Sequence, residues 1–149
     1  PDAALGAFRD AVRYQEDFAE ASLELGKVLF MKGQFHDTEA DRLADEARSL
    51  EARGEAVLAD STRREAEATR LKAAPYLDES LQNLEIYEEL SPGKPEVAYM
   101  VGYIFLSREE YEYAMQYFAV GYRSDTASPK LKRKFEEALR LCREQLGHD

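Results

Sequence analysis

Near the start of the chain, Leu5, Phe8, Val12, Phe18, Leu25 and Leu29 recur at spacings of three, four or seven with one slip. That period predicts a helix over 3–32, with Asp2 as its N-cap. "KGQFHDT" then reads as a break, with Gly33 as the C-cap and Thr38 with Asp41 as a capping arrangement for the next helix. Residues 39–74 carry a thin apolar stripe of Ala40, Leu43, Ala47, Leu50, Val57 and Leu58 among charges of both signs. This predicts a helix with a narrow buried face. Within it, Thr62 and Glu65 form the S/T-x-x-E box of a helix start, and Gly54 is the competing break point.

Pro75 is expected in the first turn of a helix over 76–90, which "SPGKP" ends. Helices over 96–106 and 109–123 follow, divided where Ser107 and Glu110 make another capping box. Ser128, a good N-cap, and Pro129 at the first helical position open a last helix to about Leu146. The segment "YMVGYIFL" at 99–106 is apolar around Gly102. A glycine inside a helix costs about 1 kcal/mol against alanine, so a close neighbour must offset it.

A fixed period runs through the second half: Pro95 and Pro129, each opening a helix, stand 34 residues apart. Val101-Gly102 followed by Phe105, then Ala114 and Phe118, fall at the spacings L-G-x-x-Y and A-x-x-x-F. Residues 95–128 thus resemble a tetratricopeptide repeat, with Ala98 and Thr126 where that family often has Trp and Pro. The resemblance implies two closely crossing antiparallel helices, with Gly102 and Ala114 at the approach. Leu25-Gly26 and Leu29 repeat its first half upstream, and Ser80, Leu84 and Pro92 its second. Gly26 and Ser80 are 54 positions apart against 12 for Gly102 and Ala114, so 42 residues stand inserted at the turn. An out-and-back helical hairpin fits that length.

The resemblance covers about 19–34 and 76–146. It implies an all-α fold in which antiparallel helix pairs stack as a short right-handed superhelix. The domain then divides into a split repeat (19–34 with 76–94), a helical insertion (35–75), a second repeat (95–128) and a capping helix (129–146). Glu136 takes the place held by Gly26 and Gly102, and a charge there suits a solvated end cap.

Composition agrees with a single helical domain: 149 residues, 44% hydrophobic, 34% charged, with 5 Pro. A net charge of −10 argues against nucleic acid, where Lys and Arg must neutralise phosphates, and against anionic membranes. The lone Cys142 excludes an intrachain disulfide and a cysteine-rich zinc site, and reads as a buried small residue. The apolar run from Val101 to Leu106 is too short to span a bilayer, so no membrane insertion is expected. The chain begins at Pro1, and we expect a processed fragment, soluble in the cytoplasm or, after loss of a signal segment, in the bacterial envelope.

The family commonly binds peptides in a concave groove. By helical phase, the groove positions implied here are Leu23, Lys27, Phe30, Tyr99, Tyr103 and Leu106, then Lys130, Arg133 and Arg140 on the cap. Tyr and Arg are favoured in binding sites, and an aromatic or acidic segment would suit them. The alternative is that Tyr99 and Tyr103 pack against the inserted hairpin or the N-terminal helix. Members that grip a terminal carboxylate carry Lys and Asn at these places, so recognition of a chain end is not implied.

"KLKRK" at 130–134 is followed by Glu136, Glu137 and Glu144 and reads as a solvated face. His36, Asp37, Glu39 and Asp41 lack the spacing of a metal site. No phosphate loop or nucleophile elbow is present, so neither catalytic residues nor a cofactor are expected. The expectation is a non-enzymatic scaffold that binds a protein or peptide partner. The alternative is a structural protein that forms homo-oligomers through the inserted helices.

Overall fold

The computed structural model describes residues 2–147; His148 and the side chains of Asp2, Leu5, Phe8 and Val12 lie outside that description, and with them the expected Asp2 cap. The protein is all-α. Among the described residues it forms α1 (Asp2–Ala52), α2 (Ala56–Leu90), α3 (Pro95–Ser107), α4 (Tyr111–Tyr122) and α5 (Pro129–Gln145). None of these helices is long and apolar enough to cross a membrane. Two compact units are present, Pro1–Glu24 with Leu81–Asp149, and Leu25–Ser80.

The Leu25–Ser80 unit is an antiparallel hairpin of α1 and α2, about 42 Å along the α1 arm and about 38 Å along the α2 arm at the rise of an α-helix. Its inner faces carry a small residue at every seventh position. Gly26, Gly33, Ala40 and Ala47 lie on α1; Ala59, Ala66, Ala73 and Ser80 lie on α2, and all eight are buried. The Ser80 hydroxyl donates to the Gly26 carbonyl at 2.7 Å, 54 residues away in sequence. A Cβ built on Gly33 would lie 2.5 Å from Leu77 Cδ2 and 3.4 Å from the Ala73 carbonyl oxygen. This antiparallel register sets Ala40 opposite Ala66 and Ala47 opposite Ala59. Small residues on both sides let the backbones approach, and a seven-residue period keeps the seam facing its partner along the whole hairpin.

Polar pairs flank the seam. His36 stacks on Tyr76 with ring centroids 5.7 Å apart, Arg70 reaches Asp41 at 2.7 Å and the buried Asp37 at 4.0 Å, and Arg63 pairs with Glu51 near the tip. These pairs explain why the polar run "QFHDT" is helical. Gly33 is therefore a packing glycine and not the expected C-cap, and α1 passes through it without interruption.

Of the two candidate breaks, Gly54 is the turn. It takes φ +81°, and Glu55 N–H donates to the Leu50 carbonyl at 3.0 Å while Gly54 N–H donates to Glu51, the closure of a Schellman motif. Thr62 starts no helix; inside α2, its hydroxyl donates to the Leu58 carbonyl at 2.8 Å. Pro75 also sits inside α2 instead of opening a helix. Pro75 and Leu71, four residues earlier, are both exposed, so the carbonyl that Pro leaves without a donor is on the solvated side.

In the other unit, α3, α4 and α5 pack in sequence, and the buried core holds Ala114, Phe118, Phe135, Leu139 and Cys142. Ser128 caps α5 as expected, its hydroxyl accepting from Leu131 N–H at 3.1 Å. The Ser107–Glu110 capping box does not form. Ser107 stays in α3 and donates to the Ile104 carbonyl, and Glu110 caps α4 without a side-chain bond. Glu109 takes φ +60° instead, and Glu110 N–H closes back on the Phe105 carbonyl at 2.9 Å.

The Gly33 contact gives a test whose sign depends on background. Gly33→Ala gains helix propensity, about 1 kcal/mol, but drives a methyl into the buried Leu77 at a cost of about 1–3 kcal/mol. In urea melts we expect a net loss of about 1 kcal/mol in the wild-type background, and a gain once Leu77→Ala has opened the space. A gain in both backgrounds would remove the packing role of Gly33.

Candidate functional site

Gly102 of α3 and Gly121 of α4 are the places where α3, α4 and α5 close on one another. A Cβ on Gly102 would stand 2.5 Å from the Phe118 ring of α4, and one on Gly121 would run into the Phe135 ring of α5. Each helix thus lodges an aromatic ring over the glycine of the helix before it. What occupies the space above Gly102 is the Phe118 ring rather than a neighbouring backbone, with the expected small residue Ala114 fully buried one turn away.

Tyr99 completes this cluster, its ring 6.0 Å from Phe118 and 5.7 Å from Phe135. Lys134 Nζ lies over the outer face of Tyr99 at 5.6 Å from the ring centroid. Burial, and then the Glu137 carboxylate, push the Tyr99 phenol above its ordinary range. Tyr99 is thus a half-buried wall of the core, packed on α4 and α5 and not on an inserted helix.

The other expected groove positions divide. Tyr103 and Leu106 share one face of α3 with Tyr99 and are half-buried, and Leu106 packs against the core. Arg133, Lys130 and Arg140 are exposed on α5. Leu23 and Phe30 are buried, so their side chains serve as core and present no wall to solvent; Lys27 is half-buried. Gly26 receives the Ser80 hydroxyl described above. Glu136, at the cap position, is exposed and accepts from the Tyr122 phenol at 3.0 Å, the bond that raises the Tyr122 pKa.

An apolar recess lies on a different face of α3. Pro95, Val97, Ala98, Val101, Tyr117 and Val120 line a largely apolar cavity of about 160 Å³ at the start of α3 and the end of α4. Its rim continues as stacked rings. Phe105 lies 5.5 Å from Tyr117 at 11° and 5.7 Å from Tyr113, and the Arg108 guanidinium sits 5.8 Å above Phe105. Glu88 borders the recess and accepts from Gly93 N–H at 3.2 Å; Lys94 lies over Tyr87. Burial, followed by the carboxylates of Glu85 and Glu88, raises the Tyr117 pKa. Glu85 and Glu88 thus place negative charge near Tyr117, while Lys94 also lines the recess.

These recess residues were not among the expected groove positions. Their signal was present in α4, where Tyr113, Tyr117 and Val120 repeat at i, i+4 and i+7, one position before the core stripe Ala114, Phe118 and Gly121. Among the described residues, no group of three or more His, Cys, Asp or Glu is placed to hold a metal ion. Comparison with protein-family models, curated proteins and solved structures finds no match to this chain.

Of the three raised phenols, Tyr99 and Tyr117 are the ones shifted chiefly by burial, and they bear on alkaline stability. Unfolded tyrosine ionises near pH 10. Because Tyr99 and Tyr117 titrate higher when folded, their stabilisation is complete below about pH 10 and is lost as pH rises through the folded values. Urea melts are expected to show stability falling above about pH 10, and falling less in Tyr99→Phe/Tyr117→Phe.

Proposed function

We propose that the protein is a non-enzymatic interaction module that anchors one apolar or aromatic side chain of a partner segment in the Tyr117 recess. The observation that carries this reading is the recess itself: a small apolar cavity with a buried floor of Val97 and Val101 and the stacked rings of Tyr117 and Phe105 at its rim. Its volume of about 160 Å³ is well below the roughly 300 Å³ at which small-molecule sites begin, and suits a single side chain. Tyr is also among the residues enriched where binding energy concentrates.

The acidic border at Glu85 and Glu88, together with the net charge of −10, favours a segment that carries Lys or Arg beside its anchor. This differs from the acidic segment that the α5 cations suggested. Other chemistry supports the non-catalytic reading. Burial raises the Cys142 thiol, and the shifted tyrosines are all raised, so none of these groups is activated as a nucleophile or base at neutral pH. A short tetratricopeptide-like array remains the architecture we propose for this module, in which rigid helix packing keeps the ordering cost of binding low.

Selection from a random peptide library on the immobilised chain tests the proposal. Enriched peptides should share an aliphatic or aromatic anchor next to a base. They should bind at least about tenfold more weakly to Val120→Asp or Tyr117→Ala, while Tyr99→Phe binds normally. Equal binding to wild type and both recess variants, or no enrichment, would refute it. A second reading, self-assembly through the inserted helices, draws on the exposed Val57, Leu58 and Leu71 of α2. It requires the mass seen by light scattering to rise with concentration and to stop rising in Val57→Ser/Leu58→Ser.

A further inference from the structure

The recess occupies one flank of α4, and the opposite flank of that helix carries a second hollow. Met115, Ala119 and Tyr122 repeat at i, i+4 and i+7, one position after the core stripe of Ala114, Phe118 and Gly121. With Leu139 of α5 they line a groove of about 540 Å³ between the two helices. Toward Glu112 and Leu146 it continues as a hollow of about 570 Å³ that shares Met115, Ala119 and Arg123.

The shape suits a helix. From Glu112 to Arg123 the groove follows α4 for about 16 Å at the rise of an α-helix, which is about three turns. Met115 and Ala119 pack on the core and remain half-buried, so their outer surfaces form an apolar floor. A trough between adjacent helices with such a floor is the seat in which an amphipathic helix lays anchors spaced at i, i+4 and i+7.

Charge selects the occupant. In a chain of net charge −10, α5 carries six Lys and Arg against three Glu. Arg143 of α5 and Arg123, just past the end of α4, both line the groove. Arg42, Arg63 and Arg70 of the hairpin each meet a carboxylate. Among the described residues, Arg123 and Arg143 meet none; Arg123 Nε donates to the Ala119 carbonyl at 3.2 Å. The acids along the groove have local partners instead. Glu136 accepts from the Tyr122 phenol, and Glu112 lies in the first turn of α4, where the helix dipole favours an anion. What the groove lacks is a carboxylate for two guanidinium forks. A second copy does not supply it, because in a two-fold pair the same hollow would face itself and neither could fill the other. We propose that the α4–α5 groove docks an acidic amphipathic helix of another protein, its apolar anchors on Met115, Ala119 and Leu139 and its Asp or Glu side chains on Arg123 and Arg143. The two flanks of α4 then select opposite charge, since the recess favours a base beside its anchor.

The test uses the full chain and two labelled amphipathic peptides of about 18 residues, long enough to form a helix on the groove. Both carry Leu at i, i+4 and i+7, one with Glu and one with Lys at the flanking positions. Fluorescence anisotropy is expected to show the Glu peptide binding at least about tenfold tighter than the Lys peptide, with affinity falling as salt is raised. Arg123→Glu/Arg143→Glu is expected to reverse the preference with an unchanged helical circular-dichroism spectrum, because both residues are exposed. Lys130→Glu/Lys134→Glu, which changes the charge of α5 by the same amount on its outer face, and the recess variant Tyr117→Ala are expected to leave the Glu peptide bound. No binding, equal affinity for the two peptides, or a preference for Glu that survives the reversal at 123 and 143 overturns the proposal. So does a preference erased equally by Lys130→Glu/Lys134→Glu. Binding lost with Tyr117→Ala overturns it in favour of the recess, and self-association in light scattering that Arg143→Glu abolishes overturns it in favour of a second copy.

Discussion

Every seventh residue on the inner faces of the hairpin has almost no side chain, and the Leu25–Ser80 unit depends on that single constraint. Two helices carrying leucine at those positions would stand farther apart, and the Ser80 hydroxyl could not reach the Gly26 carbonyl. Dispersion grows steeply as surfaces approach, so a seam of Gly and Ala recovers in close backbone contact what it gives up in side-chain area. The glycines weaken α1 as an isolated helix, and the hairpin contact supplies what the local sequence withholds. The same trade recurs with rings in the other unit, where Phe118 covers Gly102 and Phe135 covers Gly121.

The helical class and the Ser128 cap were legible because each is written in a few neighbouring residues with one dominant physical meaning, whereas at Gly102 the occupant is the Phe118 ring and not the expected second backbone. Gly33 was not. A glycine beside a polar run carries the same local signal whether it ends a helix or accommodates another one, and only the distant Leu77 decides. Thr62 and Ser107 matched capping boxes, but a hydroxyl can equally bond back to a carbonyl one turn earlier, as both do. Pro75 looked like a helix start since an interior proline usually breaks one; its exposed setting removes most of that penalty. The heptad of small residues was visible in the thin stripe of Ala40 and Ala47, though its partner stripe at Ala59, Ala66 and Ala73 gains meaning only when the antiparallel register is known.

At the candidate site, helical phase puts Tyr99, Tyr103 and Leu106 on one face of α3, but phase alone does not say which face a neighbour covers. Phe118 and Phe135 converge on Tyr99 because the glycines beneath them admit whole rings, and that convergence turns an expected groove wall into core. The open recess lies instead at the start of α3 and the end of α4, where the buried Val97 and Val101 form a floor beside the exposed Val120. Its acidic border comes from Glu85 and Glu88, which belong to the preceding helix and carry no local mark of the role.

The paired small-residue seam also restricts how this hairpin can change over generations. Losing or gaining one or two residues in a single arm would rotate charged residues such as Glu39, Asp41, Glu46 and Arg48 into slots that hold only alanine. Length can vary without disruption only by a whole heptad in each arm at once. Homologous hairpins are thus bound to grow or shrink in discrete increments, with the Gly54 tip carried outward or inward as a unit.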